Sequence, residues 1–138
     1  MKVPFNDLSR IHNPIKKSVL DKLDKSIKKN EFILGNSIKN FEASFSKYTN
    51  SKYSISCSNG TDAIELVLRA LEIGHEDEVI IPANTFIATA LAVTRAGATP
   101  ILVDNNSFYL IDVDQIEKNI NKKTKAIIGV HLYGQQAD

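Results

Sequence analysis

The sequence is poor in the residues that build covalent or metal-bound scaffolds. It has one cysteine, Cys57, in 138 residues, which excludes an internal disulfide and a zinc centre made of several thiolates. His12 and His75 have no companions at metal-ligand spacing, and no metal is expected. Excess charge of one sign is also missing. Seventeen Lys and Arg against sixteen Asp and Glu leave a formal net charge of +1, so composition makes no case for nucleic acid or an anionic membrane as partner. No apolar run approaches the length of a bilayer span. The opening Met1–Asp7 lacks the apolar stretch of a signal peptide, and the cytoplasm is the expected location. Two glycosylation sequons, at Asn59 and Asn105, carry no meaning in that setting. Internal repeats and low-complexity tracts are absent.

What is present fits a globular protein: 43% hydrophobic and 24% charged residues. Pro14 opens a segment with Ile15, Val19, Leu23 and Ile27 on one helical face. Lys16, Lys17, Lys22, Lys25, Lys28 and Lys29 surround it, interleaved with Asp21 and Asp24. That is the pattern of a solvated face rather than a basic patch. A second helix is expected after Gly35, with Ile38, Phe41, Phe45 and Tyr48 in phase. From residue 53 the rhythm changes. Strands are expected at 53–57, 78–81, 99–103 and 124–130. Between them lie helices at 61–73, at 85–96 closed by Gly97, and from an Asp112/Gln115 capping box through Asn119. The 61–73 helix is apolar on several sides, as if covered on more than one face. Strands alternating with helices imply an α/β fold whose mostly parallel sheet has flanking helices. The division expected is a helical arm over 1–50 and an incomplete large domain over 51–138. No helix follows the last strand, which suggests part of a larger fold.

Three places suit ligand chemistry, each after a strand. In Ser58-Asn59-Gly60-Thr61-Asp62-Ala63, the unpaired N–H groups of a helix N-terminus suit a phosphate, Gly60 admits close approach, and Ser58 and Thr61 add hydroxyls. The same residues also read as a tight Asn59-Gly60 turn with Thr61 as a cap. Neither a Walker A loop nor a G-x-G-x-x-G pattern is present. In Pro82–Ala90, Asn84 or Thr85 can cap a helix, and Phe86 either stacks on a planar ring or packs in the core. In His131-Leu132-Tyr133-Gly134-Gln135, His131 and Tyr133 offer acid–base or hydrogen-bonding groups, or are structural. Cys57 reads as a small buried hydrophobe. Together these loops suit a planar phosphorylated cofactor without naming one.

Five blocks in order resemble the DegT/StrS-like family. They are Phe32-Ile33-Leu34-Gly35 with Phe41-Glu42; Ser58 to Ala63; Ile81-Pro82-Ala83-Asn84-Thr85-Phe86-Ile87-Ala88-Thr89; Ala96 to Pro100 with Val103-Asp104; and Thr124 to Ile128 with His131 to Gln135. The resemblance runs from about Val3 to Asp138. It implies the aspartate-aminotransferase type fold (PLP fold type I) and a pyridoxal 5'-phosphate (PLP) enzyme that aminates a keto nucleotide-sugar, with glutamate as donor, in a homodimer. By the same resemblance, Ser58, Gly60, Thr61 and Asp62 belong to the phosphate site and Phe86 stacks on the pyridine ring. Phe32 and Gly35 lie near the sugar-nucleotide pocket, with Tyr133, Gln135 and His131 in its neighbourhood.

The family's aspartate that pairs with the pyridine nitrogen and its Schiff-base lysine fall beyond Asp138. No lysine here matches the latter, so this chain alone is expected not to transaminate. A dehydratase variant of the family, with histidine in place of the lysine, is the near alternative. A non-catalytic remnant and an unrelated phosphate-binding module are the more distant ones.

Overall fold

Two asparagines in the left-handed backbone region end the first two helices of the computed structural model, which describes residues 3–138. Helix α1 spans Ser9–Lys29 and stops at Asn30 (φ 55), where Asn30 N–H returns to Ile27 O and Glu31 N–H to Ser26 O. Helix α2 spans Asn36–Thr49 and stops the same way at Asn50 (φ 52), with Ser51 N–H on Ser46 O. Asparagine tolerates this conformation, and the returning bonds satisfy carbonyls that the helix leaves open. Helix α1 begins five residues before Pro14, because the Asp7 carboxylate accepts the Ser9 N–H at 2.9 Å and sets the first turn there. These helices belong to a unit covering Met1–Ser56. The last residue of that unit is held by Glu42, whose Oε1 accepts Ser56 N–H at 2.7 Å. No residue of either helix is buried. The row Ile11, Ile15, Val19, Leu23, Ile27 stays 49% to 65% exposed.

The second unit, Cys57–Asp138, is built on one apolar strand. Strand β1 (Glu78–Pro82) is the middle of a parallel sheet of order β2-β1-β3, with β2 at Thr99–Val103 and β3 at Thr124–Ile127. Its Val79, Ile80 and Ile81 are fully buried, as a central strand covered on both faces requires. Side chains alternate along it. Val79 and Ile81 pack with Leu68 of α3 (Gly60–Ala70) and Val93 and Ala96 of α4 (Ala88–Ala96). Ile80 packs on the other face with Val103, Ile111 and Ile116, the last from α5 (Val113–Asn119). Helices therefore cover both faces.

Several elements differ from expectation, each for a local reason. Residues 53–57 form no strand, because strand composition alone supplies no hydrogen-bonded neighbour, and Ile55 is left exposed. Cys57, in the same stretch, is exposed rather than buried. Helix α3 ends at Ala70, because Glu72 adopts φ 59 and Ile73 N–H folds back to Leu68 O, returning Ile73 to the core. Only one face of α3 is covered, while Leu66, Val67 and Leu71 remain exposed. Strand β3 stops at Ile127 rather than Val130. Glu78 N–H points towards β3, on Lys123 O, and Ala83 N–H towards β2, on Val103 O. By alternation Pro82 faces β3, where it has no N–H to give. At α5, Asp112 caps Asp114 N–H, but the reciprocal half of the capping box is not made because Asp112 N–H goes to Asp104 O.

Candidate functional site

The strands are parallel, so the segments after β1, β2 and β3 leave the sheet at one edge. That edge carries Phe86, Asn105 and the turn of residues 131–135. Phe86 is 74% exposed and does not pack in the core formed by the described residues. Its backbone is fixed nonetheless. Thr89 N–H donates to Phe86 O at 3.1 Å, and the Thr85 and Thr89 hydroxyls meet at 2.9 Å. Neither Asn84 nor Thr85 caps the helix, which starts later, at Ala88, after Ile87. Asn84 N–H donates instead to Asn105 Oδ1 at 3.1 Å. Asn105 is thus a structural tie that the sequence offered only as a meaningless sequon; its place directly behind β2 was the available signal.

In the last turn, Tyr133 lies in the left-handed region (φ 54) and is 97% exposed, followed by Gly134 at φ 83. His131 is exposed, and its Nδ1 accepts Ala137 N–H at 3.0 Å within the same segment. Gln135 is exposed, and its N–H closes the turn on Leu132 O.

The N-terminus of α3 forms a second cluster. Asn59 is extended (φ −164, ψ 174) and its side chain accepts Asp62 N–H at 3.0 Å, so the Asn59-Gly60 pair is a helix cap rather than a tight turn. Asp62 Oδ2 accepts from the Ser58 hydroxyl and, at 3.1 Å, from Asn59 Nδ2. Arg95, at the far end of α4, reaches Asp62 Oδ1 at 3.4 Å. These bonds occupy Ser58, Asn59 and Asp62 with one another. They leave the N–H groups of Gly60 and Thr61 without an acceptor among the described residues, and the Thr61 hydroxyl without a partner. A Cβ placed on Gly60 would meet nothing within 4 Å. Two aligned donors, a hydroxyl and clear space at a helix N-terminus fit a phosphate group. Among the described residues, no hydrogen bond joins this cluster to Phe86 or to the Tyr133 turn.

Phe32 and Gly35 belong to the first unit. Phe32 is exposed, Leu34 has φ 52, and Gly35 sits so close to Glu31 that an added Cβ would lie 3.1 Å from the Glu31 Cβ. A side chain there would push Glu31 aside by a few tenths of an ångström. Among the described residues, no group of three His, Cys, Asp or Glu could hold a metal ion, and no helix is long and apolar enough to cross a membrane.

The sequence profile of the DegT/DnrJ/EryC1/StrS aminotransferase family matches residues 13–138. The chain belongs to this family. It is 45% identical over all of its length to a pleiotropic regulatory protein of Geobacillus stearothermophilus, covering 37% of that protein. It is 43% identical over 99% of its length to a dTDP-3-amino-3,6-dideoxy-alpha-D-galactopyranose transaminase of Aneurinibacillus thermoaerophilus, covering 38% of it. The solved structure of NtdA from Bacillus subtilis, with bound cofactor PMP, superposes with a TM-score of 0.93 at 42% identity, over 99% of this chain and 32% of that one. The chain therefore spans little more than a third of the curated relatives it matches. Its fold is the N-terminal part of a PLP-aminotransferase fold, the α/β class expected from the alternation of strands and helices.

Proposed function

We propose that the protein to which this chain belongs is a PLP-dependent aminotransferase that moves an amino group from glutamate to a keto nucleotide-sugar. The observation that carries the reading is the free pair of N–H groups on Gly60 and Thr61, beside an open glycine, in a chain aligned over nearly its whole length with a nucleotide-sugar transaminase. The proposed division is a helical arm over 1–50 and a cofactor-binding domain from 51 onward.

In this reading Gly60 and Thr61 hold the cofactor phosphate through their N–H groups and the Thr61 hydroxyl. Ser58 and Asp62 complete the phosphate site, with the Asp62 charge offset by Arg95. Phe86, exposed on a fixed backbone, covers one face of the pyridine ring and excludes water from it. Phe32, Gly35, Tyr133 and Gln135 are assigned to the substrate side, where exposed ring and amide groups contact the sugar nucleotide. Once bound, the cofactor supplies a carrier for the amino group between donor and acceptor. A homodimer working in the cytoplasm is part of the same proposal.

The test is made on the whole protein, supplied with glutamate, PLP and a panel of keto nucleotide-sugars. Formation of 2-oxoglutarate together with an aminated sugar supports the reading. Loss of water from the sugar with no nitrogen transferred would replace it with the dehydratase. Neither product, in a protein that takes up no PLP, would leave the non-catalytic alternative.

A further inference from the structure

Phe86 presents an exposed ring on a backbone tied from both sides. After it, Thr89 N–H holds the Phe86 carbonyl; before it, Ala83 N–H donates to Val103 O at 2.8 Å and Asn84 N–H to Asn105 Oδ1 at 3.1 Å. The Asn84 tie is made by a side chain from a different loop, the segment after β2. Asn105 is itself half-buried and bridges Ile111 through its backbone. Its Nδ2 donates to Tyr109 O at 2.8 Å, and its own N–H donates to Asp104 Oδ1 at 2.8 Å. With one donor and one acceptor engaged, the amide has a single workable orientation. Turned over, its NH2 would face the Asn84 N–H and its oxygen the Tyr109 carbonyl. The loop it comes from is internally fastened as well, since Asn106 Oδ1 accepts the N–H groups of Phe108 at 2.9 Å and Leu110 at 3.2 Å.

From this geometry we infer that Asn105 is a positioning residue for Phe86. It carries the rigidity of the 104–111 loop into the 83–87 loop, so that the exposed ring meets a planar ligand ring in one orientation. A ring already fixed loses less freedom on stacking than one on a loose loop. Asparagine is suited to the task because it accepts from Asn84 and donates to Tyr109 at once. Aspartate keeps only the first of these bonds, and leucine neither. The inference rests on the PLP reading of the site.

The experiment compares the whole protein with its Asn105→Leu and Asn105→Asp variants. Each is titrated with PLP, followed by absorbance and by the circular dichroism induced in the bound chromophore, and each is then competed with inorganic phosphate. Asn105→Leu should weaken PLP binding by about fivefold, the worth of one net hydrogen bond, and reduce the induced dichroism. Asn105→Asp should fall between it and the parent. Inorganic phosphate should bind all three equally, because its contacts lie on Gly60 and Thr61. Asn105→Leu with parental affinity and dichroism overturns the inference and leaves the PLP reading standing. Equal losses for PLP and phosphate also overturn it, by showing general damage instead of lost positioning. A parent protein that takes up no PLP removes the PLP reading, and this inference falls with it.

Discussion

The Arg95 guanidinium reaches the Asp62 carboxylate at 3.4 Å, joining the last turn of α4 to the first turn of α3. Asp62 has more partners than Arg95 alone. It also accepts from the Ser58 hydroxyl and the Asn59 amide. The ion pair is screened, with the Arg95 side chain 54% and that of Asp62 33% exposed. Arg95→Ala should therefore cost about 0–1 kcal/mol. Asp62→Ala strips two further donors and should cost about 1–3 kcal/mol. Urea unfolding of the two variants measures the difference, and equal losses would show that the ion pair alone matters.

Asn59 holds the N-cap through a single acceptor, its side-chain oxygen on Asp62 N–H. Asn59→Ala should cost about 1 kcal/mol, and Asn59→Asp or Asn59→Ser should recover most of it, since each offers an oxygen to the same N–H. Unfolding midpoints read this directly. An alanine variant as stable as the parent would mean that water caps the helix equally well.

The sequence reveals most where a residue's own chemistry decides the outcome. Val79, Ile80 and Ile81 announce a strand buried on both faces, and Gly97 closes α4 with φ 95 as its position suggests. Its power fades where a distant partner decides. The 53–57 stretch has strand composition, but composition does not supply a neighbouring strand. Pro82 shortens β3 only because alternation turns its missing N–H towards that side. At the site, the helix N-terminus beside Gly60 was legible because caps and glycines act locally. Asn105 was not, because its meaning depends on Asn84, twenty-one positions away.

Asp7 gives one pH-dependent feature. The Ser9 side-chain and then backbone hydrogen bonds hold its carboxyl below the ordinary value of 3.8. A depressed carboxyl stabilises the folded form above its ordinary value and loses that contribution as pH falls through the lowered one. The start of α1 should therefore be intact near neutrality and fray only in acid, below pH 3.8. Exchange of the Ser9 amide measured down the acid range checks this, and Asp7→Asn should remove the pH dependence.

Gly97 and Gly60 should respond to alanine in opposite ways. At Gly97 there is room, the nearest atom to an added Cβ being His75 N at 3.6 Å, but φ is +95. Gly97→Ala should thus cost about 1–2 kcal/mol through backbone strain alone. Gly60 has no left-handed φ and nothing within 4 Å of the added Cβ. As a helix residue it should accept alanine within about 0.5 kcal/mol of the parent stability, or slightly better. If the clear space beside Gly60 is where a cofactor phosphate sits, the same methyl should crowd the anion off its N–H donors. Losing one charge-assisted bond then weakens PLP by about tenfold or more. A Gly60→Ala protein that is stable and binds PLP poorly separates a binding role from a folding role for this glycine. One that is stable and binds PLP normally moves the phosphate away from the α3 N-terminus.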